Sequence, residues 1–553
     1  MQRTIYLIAA FFLIIFSAEA QLLSKEHSFS RADTLRGMLT SARTCYDLNY
    51  YHLAVKIDID NKSISGSNEF NFTATADFSL LQFDLFSNLK VEKIVYKDQE
   101  LPFKREFNAV FVTFPAVIKK GSKDKFKVYY SGDPVIARNP PWDGGFIFSK
   151  DKAGNPWVSV ACQGFGASSW WPNKDHQSDE VDSVLISISV PKGLQEISNG
   201  RLRSIKDQPD GYKEYNWFVS NPINNYTVTF YTGKYAHWTD NYKGENGNLS
   251  LDFWSLKEDS LQARPHWDTD VKRMLKNFEY WFGPYPFYKD GYKLVQAPHL
   301  GMEHQSAVAY GNLFKMGYLG RDLSGTGWGL KFDFIVVHES GHEWFGNNIT
   351  AKDIADMWIH EAFTNYSEAL FLESEYGKKA ATEYVIGIRK NIKNESPVIG
   401  HYNVNNEGSG DMYYKGANML HTIRQLIGND EKFRSILRGL NKTFYHQTVT
   451  TLQIENYMAA QSGVKLDKIF DQYLRNITVP VLSYHIKGGK LSYRWTNTIP
   501  GFDMPVKVRL KPGIYSLIKP VTGTWKTINI PSTINEDNFK ADPNFYIEIK
   551  AEE

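Results

Sequence analysis

The chain has 553 residues, of which 42 % are hydrophobic and 22 % charged. That is far too apolar for a disordered polypeptide and too long for one compact core, so about three domains are expected. With 63 Lys and Arg against 61 Asp and Glu the formal charge is only +2, which leaves no electrostatic case for nucleic acid or an anionic membrane as a partner.

Residues 1–20 form a separate object. Arg3 gives a short positive start, Ile5 to Phe16 is apolar apart from the Tyr6 hydroxyl, and Ala18-Glu19-Ala20 has the small-x-small pattern of a signal-peptidase site. A signal peptide cut near Ala20 and an exported protein, secreted or periplasmic, are expected. The apolar run falls short of the roughly 20 residues that span a bilayer, and no later stretch is long enough, so no stable membrane insertion is expected. Cys45 and Cys162 are too few for a disulfide framework; a disulfide and two buried thiols both stay open.

From about Tyr46 to Thr232, within a first domain expected over 21–240, the pattern has period two. Leu53, Val55, Ile57 and Ile59 alternate with polar or small residues, as do Val184, Ile186, Ile188 and Val190, and Tyr226, Val228 and Phe230. Short strands with one buried face explain this and predict an N-terminal β domain. Over 241–478 helical spacing takes over: Val271, Met274, Leu275, Phe278 and Phe282 lie on one face, and Gly283-Pro284 stops the helix. Beyond Pro480, strand patterning returns between Pro and Gly residues, which predicts a small C-terminal β domain over 479–553. The fold class is therefore multidomain α+β.

The helical region contains Val336-Val337-His338-Glu339-Ser340-Gly341-His342-Glu343-Trp344-Phe345-Gly346. Histidines four apart lie one turn above each other, so both imidazoles can reach a single metal ion from one helix face. Ile335 to Val337 buries that helix, and Gly346 is placed to end it. Glu339, beside the first His, is positioned as a general base toward water. A third protein ligand is required, and Glu361 is the candidate, 18 residues beyond His342 in Trp358-Ile359-His360-Glu361-Ala362-Phe363. Glu368, seven positions on, shares its face and is a candidate to orient a ligating imidazole. His360 points elsewhere on the helix and is left out of the ligand set. A random chain of this composition would show His-acid-x-x-His about 0.04 times, so the motif with its spaced Glu is a specific signal.

These residues, with Trp358 to Glu368 reading W-I-H-E-A-F-T-N-Y-S-E, resemble the zinc aminopeptidases of the gluzincin clan, relatives of aminopeptidase N and leukotriene hydrolase. The family's G-x-M-E-N motif has its counterpart in Leu300-Gly301-Met302-Glu303-His304, where Leu replaces the first Gly and His replaces Asn. The resemblance implies that Glu303 holds the substrate's α-ammonium, with Gly301, Met302 and His304 at the substrate-binding segment. Tyr413-Tyr414-Lys415-Gly416 resembles Y-x-K-G, which assigns Tyr413 to the oxyanion, a neutral donor aimed at developing charge. Cys162-Gln163-Gly164, before Trp170-Trp171-Pro172, resembles the β-domain loop whose Gln contacts the first substrate residue. The resemblance further implies a saddle-like β-sandwich, a thermolysin-like catalytic domain and one Zn²⁺ per chain. It departs in length, since only about 75 β-patterned residues follow Pro480 in place of a long helical C-terminal domain.

The expected activity is removal of N-terminal residues from peptides with a free N-terminus. An endopeptidase with the same zinc site, an epoxide hydrolase side activity and a non-catalytic binding protein are the alternatives. The preferred N-terminal residue, the oligomeric state and the physiological substrate are not legible.

Overall fold

The computed structural model describes residues 28–511 and 513–552; the expected signal peptide lies outside them. After two short helices, α1 (Arg31–Gly37) and α2 (Ser41–Thr44), strand Tyr46–Asp58 pairs antiparallel with Ser63–Ala74 and parallel with Ser183–Pro191 at the centre of an eight-stranded sheet. Leu53, Val55, Ile57, Ile186 and Ile188 all point into the core, as their alternation requires. Two smaller sheets pack with it around an aromatic core that includes Phe70, Phe72, Phe83, Phe126 and Trp171. One of them contains strand Pro156–Ala161, whose end delivers the loop at Gln163 toward the helical region. Both cysteines are free and buried; the Cys45 thiol donates to the Ala42 carbonyl and the Cys162 thiol to that of Tyr226.

The stretch from Tyr226 to Phe230, expected as a strand, is in part a 3-10 turn over Asn225–Thr227, and the strand starts at Phe230. The Asn225 amide donates to the Lys174 carbonyl at 2.7 Å and the Thr227 hydroxyl to that of Asn224 at 3.0 Å. These side-chain bonds offer the backbone an alternative to the sheet.

A five-stranded sheet then runs in the order Tyr235–Gly244, Gly247–Leu256, Tyr292–Gln296, Val308–Tyr310 and Gly301–Met302. Strand pairing therefore places the changeover between layers at Tyr235, within the segment assigned to the first domain. Gly301–Met302 is the edge strand, antiparallel to Val308–Tyr310. Helix α3 (Ser260–Phe282) buries its predicted face against this sheet and ends at Gly283, whose φ of 97° is open to glycine.

Helix α4 (Phe334–Gly341) carries the first histidine. Its N-cap Asp333 accepts from the backbone of Ile335 and Val336, satisfying two donors that no helical carbonyl reaches. The helix ends at Gly341, earlier than the expected Gly346, because bonds from Glu343 to Ser340 and from Trp344 to Gly341 tighten the last turn. Next come α5 (Trp358–Tyr376), buried on every side from Trp358 to Leu372, then α6 (Lys378–Gly387), α7 (Asp411–Ile427), α8 (Asp430–Thr443), α9 (Thr451–Ser462) and α10 (Asp467–Leu474). Helices α5 and α7 meet so closely at Gly416 that a Cβ there would lie 2.5 Å from the Ala362 Cβ.

A four-stranded sheet centred on Lys490–Thr496 and Val481–Lys487 follows, with a hairpin of Val506–Lys511 and Ile514–Ile518. Its core residues Leu482, Leu491 and Trp495 are continuous with the helical core, and the Tyr473 hydroxyl donates to the Tyr546 carbonyl at 2.6 Å. No helix among the described residues is long and apolar enough to cross a membrane.

Replacing Gly416 by Val must push α7 off α5. An overpacked core site of this kind costs about 1–3 kcal/mol, so a lower Tm than wild type is expected by scanning calorimetry.

Candidate active site

His338 and His342 leave α4 and its tightened last turn on one side, and Glu361 faces them from the first turn of α5. The Nε2 atoms of His338 and His342 stand 3.6 and 3.4 Å from Glu361 Oε2. The opposite ring nitrogens are engaged: His338 Nδ1 bonds Glu368 Oε1 at 2.8 Å and His342 Nδ1 bonds the Phe345 carbonyl at 3.0 Å. Glu368 is itself held by the amide of Asn365 at 2.9 Å and by the Tyr384 hydroxyl. Each imidazole is thus locked with Nε2 toward Glu361, the orientation that second-partner hydrogen bonds impose on a metal ligand.

These residues fit zinc. One ligand atom from each of His338, His342 and Glu361 lies within 4.8 Å of the others, and Glu361 Oε2 is buried with no hydrogen-bond donor. A buried carboxylate oxygen left without a donor calls for a cation, and two imidazoles with one carboxylate are a zinc donor set. Glu303, Glu339 and His342 also gather within 4.8 Å, but Glu303 Oε1 already accepts from the Tyr226 hydroxyl at 3.1 Å. The first set is therefore the one whose free atoms fit a metal ion better.

Electrostatics follow from burial. Burial pushes the Glu339 carboxyl up to about 7, against the pull of His338 and His342. Burial also raises Glu303. It opposes the charged form of His338, but the carboxylates of Glu361 and Glu368 outweigh it and hold that imidazole well above its ordinary value. Glu361 is the converse: the two histidines overcome burial and hold it low. Glu361 is thus held ionised beside the two imidazoles.

Around this centre lies a cavity of about 520 Å³. Gln163, Gly301, Met302, Glu303, Glu339 and Tyr413 all line it. The Gln163 amide donates to Glu361 Oε1 at 3.1 Å, so the β-domain loop does reach the centre. Gly301 lies against Glu339, where a Cβ would stand 2.5 Å from Oε1. The Tyr413 ring stacks at 22° on His338, centroids 6.0 Å apart. His304, grouped with these from the sequence, does not line the cavity; it is fully buried with Nδ1 2.6 Å from the Tyr231 hydroxyl, because the chain turns inward after Glu303. His360 is also turned away, its Nε2 accepting from the Ala351 backbone. Tyr226, Asn365, Tyr384 and the rim residues Trp142 and Glu407 were not legible. They lie far from the motif in sequence, and Tyr226 read as one more core residue. A separate 730 Å³ groove beside Gly283, Arg434 and Arg438 contains none of the site residues.

Residues 268–473 match the peptidase family M1 domain. Leukotriene A-4 hydrolase of Xenopus laevis is 21 % identical over 448 residues, 76 % of this chain and 69 % of that protein. Probable aminopeptidase 1 of Saccharolobus solfataricus is 21 % identical over 74 % of this chain, which spans only 52 % of it. Among solved structures, a two-domain M1 zinc metallopeptidase mutant bound to L-tryptophan superposes with a TM-score of 0.67 at 20 % identity, over 79 % of this chain and 96 % of that one. An M1 zinc metallopeptidase from Deinococcus radiodurans gives 0.65 at 19 % identity, over 81 % and 98 %. The fold and the site define a zinc-metallopeptidase architecture of N-terminal β domain, helical catalytic region and C-terminal β sheets. Residues 268–473 thus carry a peptidase family M1 domain, and the similarities support the gluzincin aminopeptidase family.

Because Glu368 fixes His338, replacing it with Gln is expected to weaken zinc affinity about 10- to 100-fold in a competition titration with a chelating dye. Glu361→Ala, which removes a ligand outright, is expected to lower zinc content far more in elemental analysis.

Proposed function

We propose that the protein is a zinc aminopeptidase that removes the first residue from peptides with a free N-terminus. The observation that carries this reading is Glu303, a buried carboxylate that lines the same cavity as His338, Glu339, His342, Glu361 and Tyr413. A fixed anion beside the reacting centre selects an α-ammonium, which a blocked or internal peptide lacks.

Zinc held by His338, His342 and Glu361 supplies a Lewis acid that polarises the scissile carbonyl and makes water easier to deprotonate. The chain's residues do the rest. Glu339, with a carboxyl near the operating pH, takes a proton from the attacking water and can pass it to the leaving amine. Tyr413 donates to the oxygen on which negative charge develops; burial holds its phenol protonated, as a donor must be. Glu303 holds the amine, and Gln163, bonded to Glu361, reaches from the β domain toward the first substrate residue. The edge strand Gly301–Met302 offers unpaired backbone to an extended substrate, as in recognition by strand addition. Residues 1–20 support export, and the set of His338, His342 and Glu361 supports one zinc per chain.

The test is hydrolysis of aminoacyl fluorogenic amides by the zinc-loaded protein, with and without a chelator, beside the same substrates N-acetylated. Cleavage that needs zinc and vanishes on acetylation is expected; equal cutting of acetylated substrates would establish an endopeptidase instead. Glu339→Gln is expected to keep its zinc and lose about 10²–10⁴-fold in kcat, and Tyr413→Phe about 10²–10³-fold, both by steady-state kinetics at matched zinc content.

A further inference from the structure

Glu303 does not stand alone behind the cavity. Its Oε1 accepts from the hydroxyl of Tyr226, a residue of the N-terminal β domain that is itself buried and does not line the 520 Å³ cavity. Tyr226 Oη lies 3.4 Å from His360 Nδ1, with the two rings near-parallel at 18°, and His360 Nε2 lies 2.8 Å from the backbone nitrogen of Ala351. The Ala351 N–H can only donate, so Nε2 must carry the lone pair and Nδ1 the proton. That proton points at the tyrosine oxygen. With its oxygen accepting from His360, the Tyr226 hydroxyl directs its own proton to Glu303. The chain Ala351, His360, Tyr226, Glu303 therefore has one direction, ending on a carboxylate. Asn347 fixes the same residue from the other side, its amide donating to the Glu303 carbonyl at 2.9 Å.

We infer that Tyr226 and His360 are positioning residues for the α-amine site, holding Glu303 as an oriented anion whose second oxygen is left for the substrate ammonium. This rests on the reading of Glu303 as the amine anchor. Three observations support it. The Tyr226 hydroxyl donated to one carboxylate oxygen fixes the carboxylate's orientation, while Glu303 still lines the cavity. Tyr226 sits on the 3-10 turn that replaced the expected strand, a departure that puts its hydroxyl beside the catalytic region. His360 is turned off the metal set although its neighbour Glu361 is a ligand, and its buried ring spans the gap between the Ala351 backbone and Tyr226. The β domain thereby contributes twice to the centre: Gln163 at Glu361, and Tyr226 at Glu303.

The experiment uses the zinc-loaded full chain with Tyr226→Phe and His360→Asn. Each is measured with the best free-amine amide from the substrate panel, its N-acetylated form, and a hydroxamate lacking an α-amino group as a probe of the metal site. Loss of a hydrogen bond to a charged group should raise KM for the free-amine substrate about tenfold in Tyr226→Phe, with a smaller rise in His360→Asn. Inhibition by the amine-free hydroxamate should be unchanged, a split that general loosening of the fold would not produce. An unchanged KM in Tyr226→Phe overturns the inference, as does a fall in hydroxamate affinity that keeps step with the rise in KM. If the wild type cuts free and acetylated substrates equally, the amine assignment itself falls and this inference with it. If wild type and Tyr226→Phe discriminate alike, only the link through Tyr226 falls.

Discussion

The centre of this molecule is organised by one electrostatic constraint: Glu303, Glu339 and Glu361 are buried within reach of two imidazoles, in surroundings that penalise unpaired charge. Glu361 can remain ionised there only because His338 and His342 face it, and a bound dication satisfies the same need more fully. At Glu303 and Glu339 the pull of the same imidazoles does not overcome burial, which drives both carboxyls upward. One cluster thus contains a carboxylate held ionised and another whose carboxyl is pushed up to about 7. The difference arises from what each faces, since all three are glutamates.

That constraint can be met only if the backbones carrying these groups are fixed to within fractions of an ångström. The packing of α4, α5 and α7 provides this. Helix α5 is buried on nearly every face, while Gly416 lets α7 approach Ala362, one residue from Glu361 and three from Tyr413 on the partner helix. Gly301 does the same for the edge strand, which approaches Glu339 more closely than any side chain would permit. Gly416 is there because two helices must meet, and Gly301 because the edge strand must lie against the Glu339 side chain.

The N-terminal β domain belongs to the site as well as to the scaffold. Its strand Pro156–Ala161 ends in the loop that brings Gln163 to Glu361, and its 3-10 turn brings Tyr226 to Glu303. Two carboxylates on the catalytic side are therefore each tied to a donor from the β side. The C-terminal sheets share the helical core, with Leu482 and Trp495 packed into it, and so brace α7 and α10 from outside.

Much of this was legible from the sequence because it is local or periodic. The spacing of His338 and His342 follows from 3.6 residues per turn, the face of α3 from its apolar repeat, and the strand Tyr46–Asp58 from its alternation. Glu361, Glu303, Tyr413 and Gln163 were legible only through a resemblance in motif, or as an acidic residue on the next helix, and the structure gathers all four around one cavity. The tertiary structure alone decided what depends on contacts between residues distant in the chain. It turned His304 under Tyr231 and His360 toward Ala351, kept Cys45 and Cys162 as separate buried thiols, and ended α4 at Gly341. It also joined Tyr226 to Glu303 across 77 positions. Periodicity reports which face of an element is buried; which partner waits on the other side is set by how the domains close on one another.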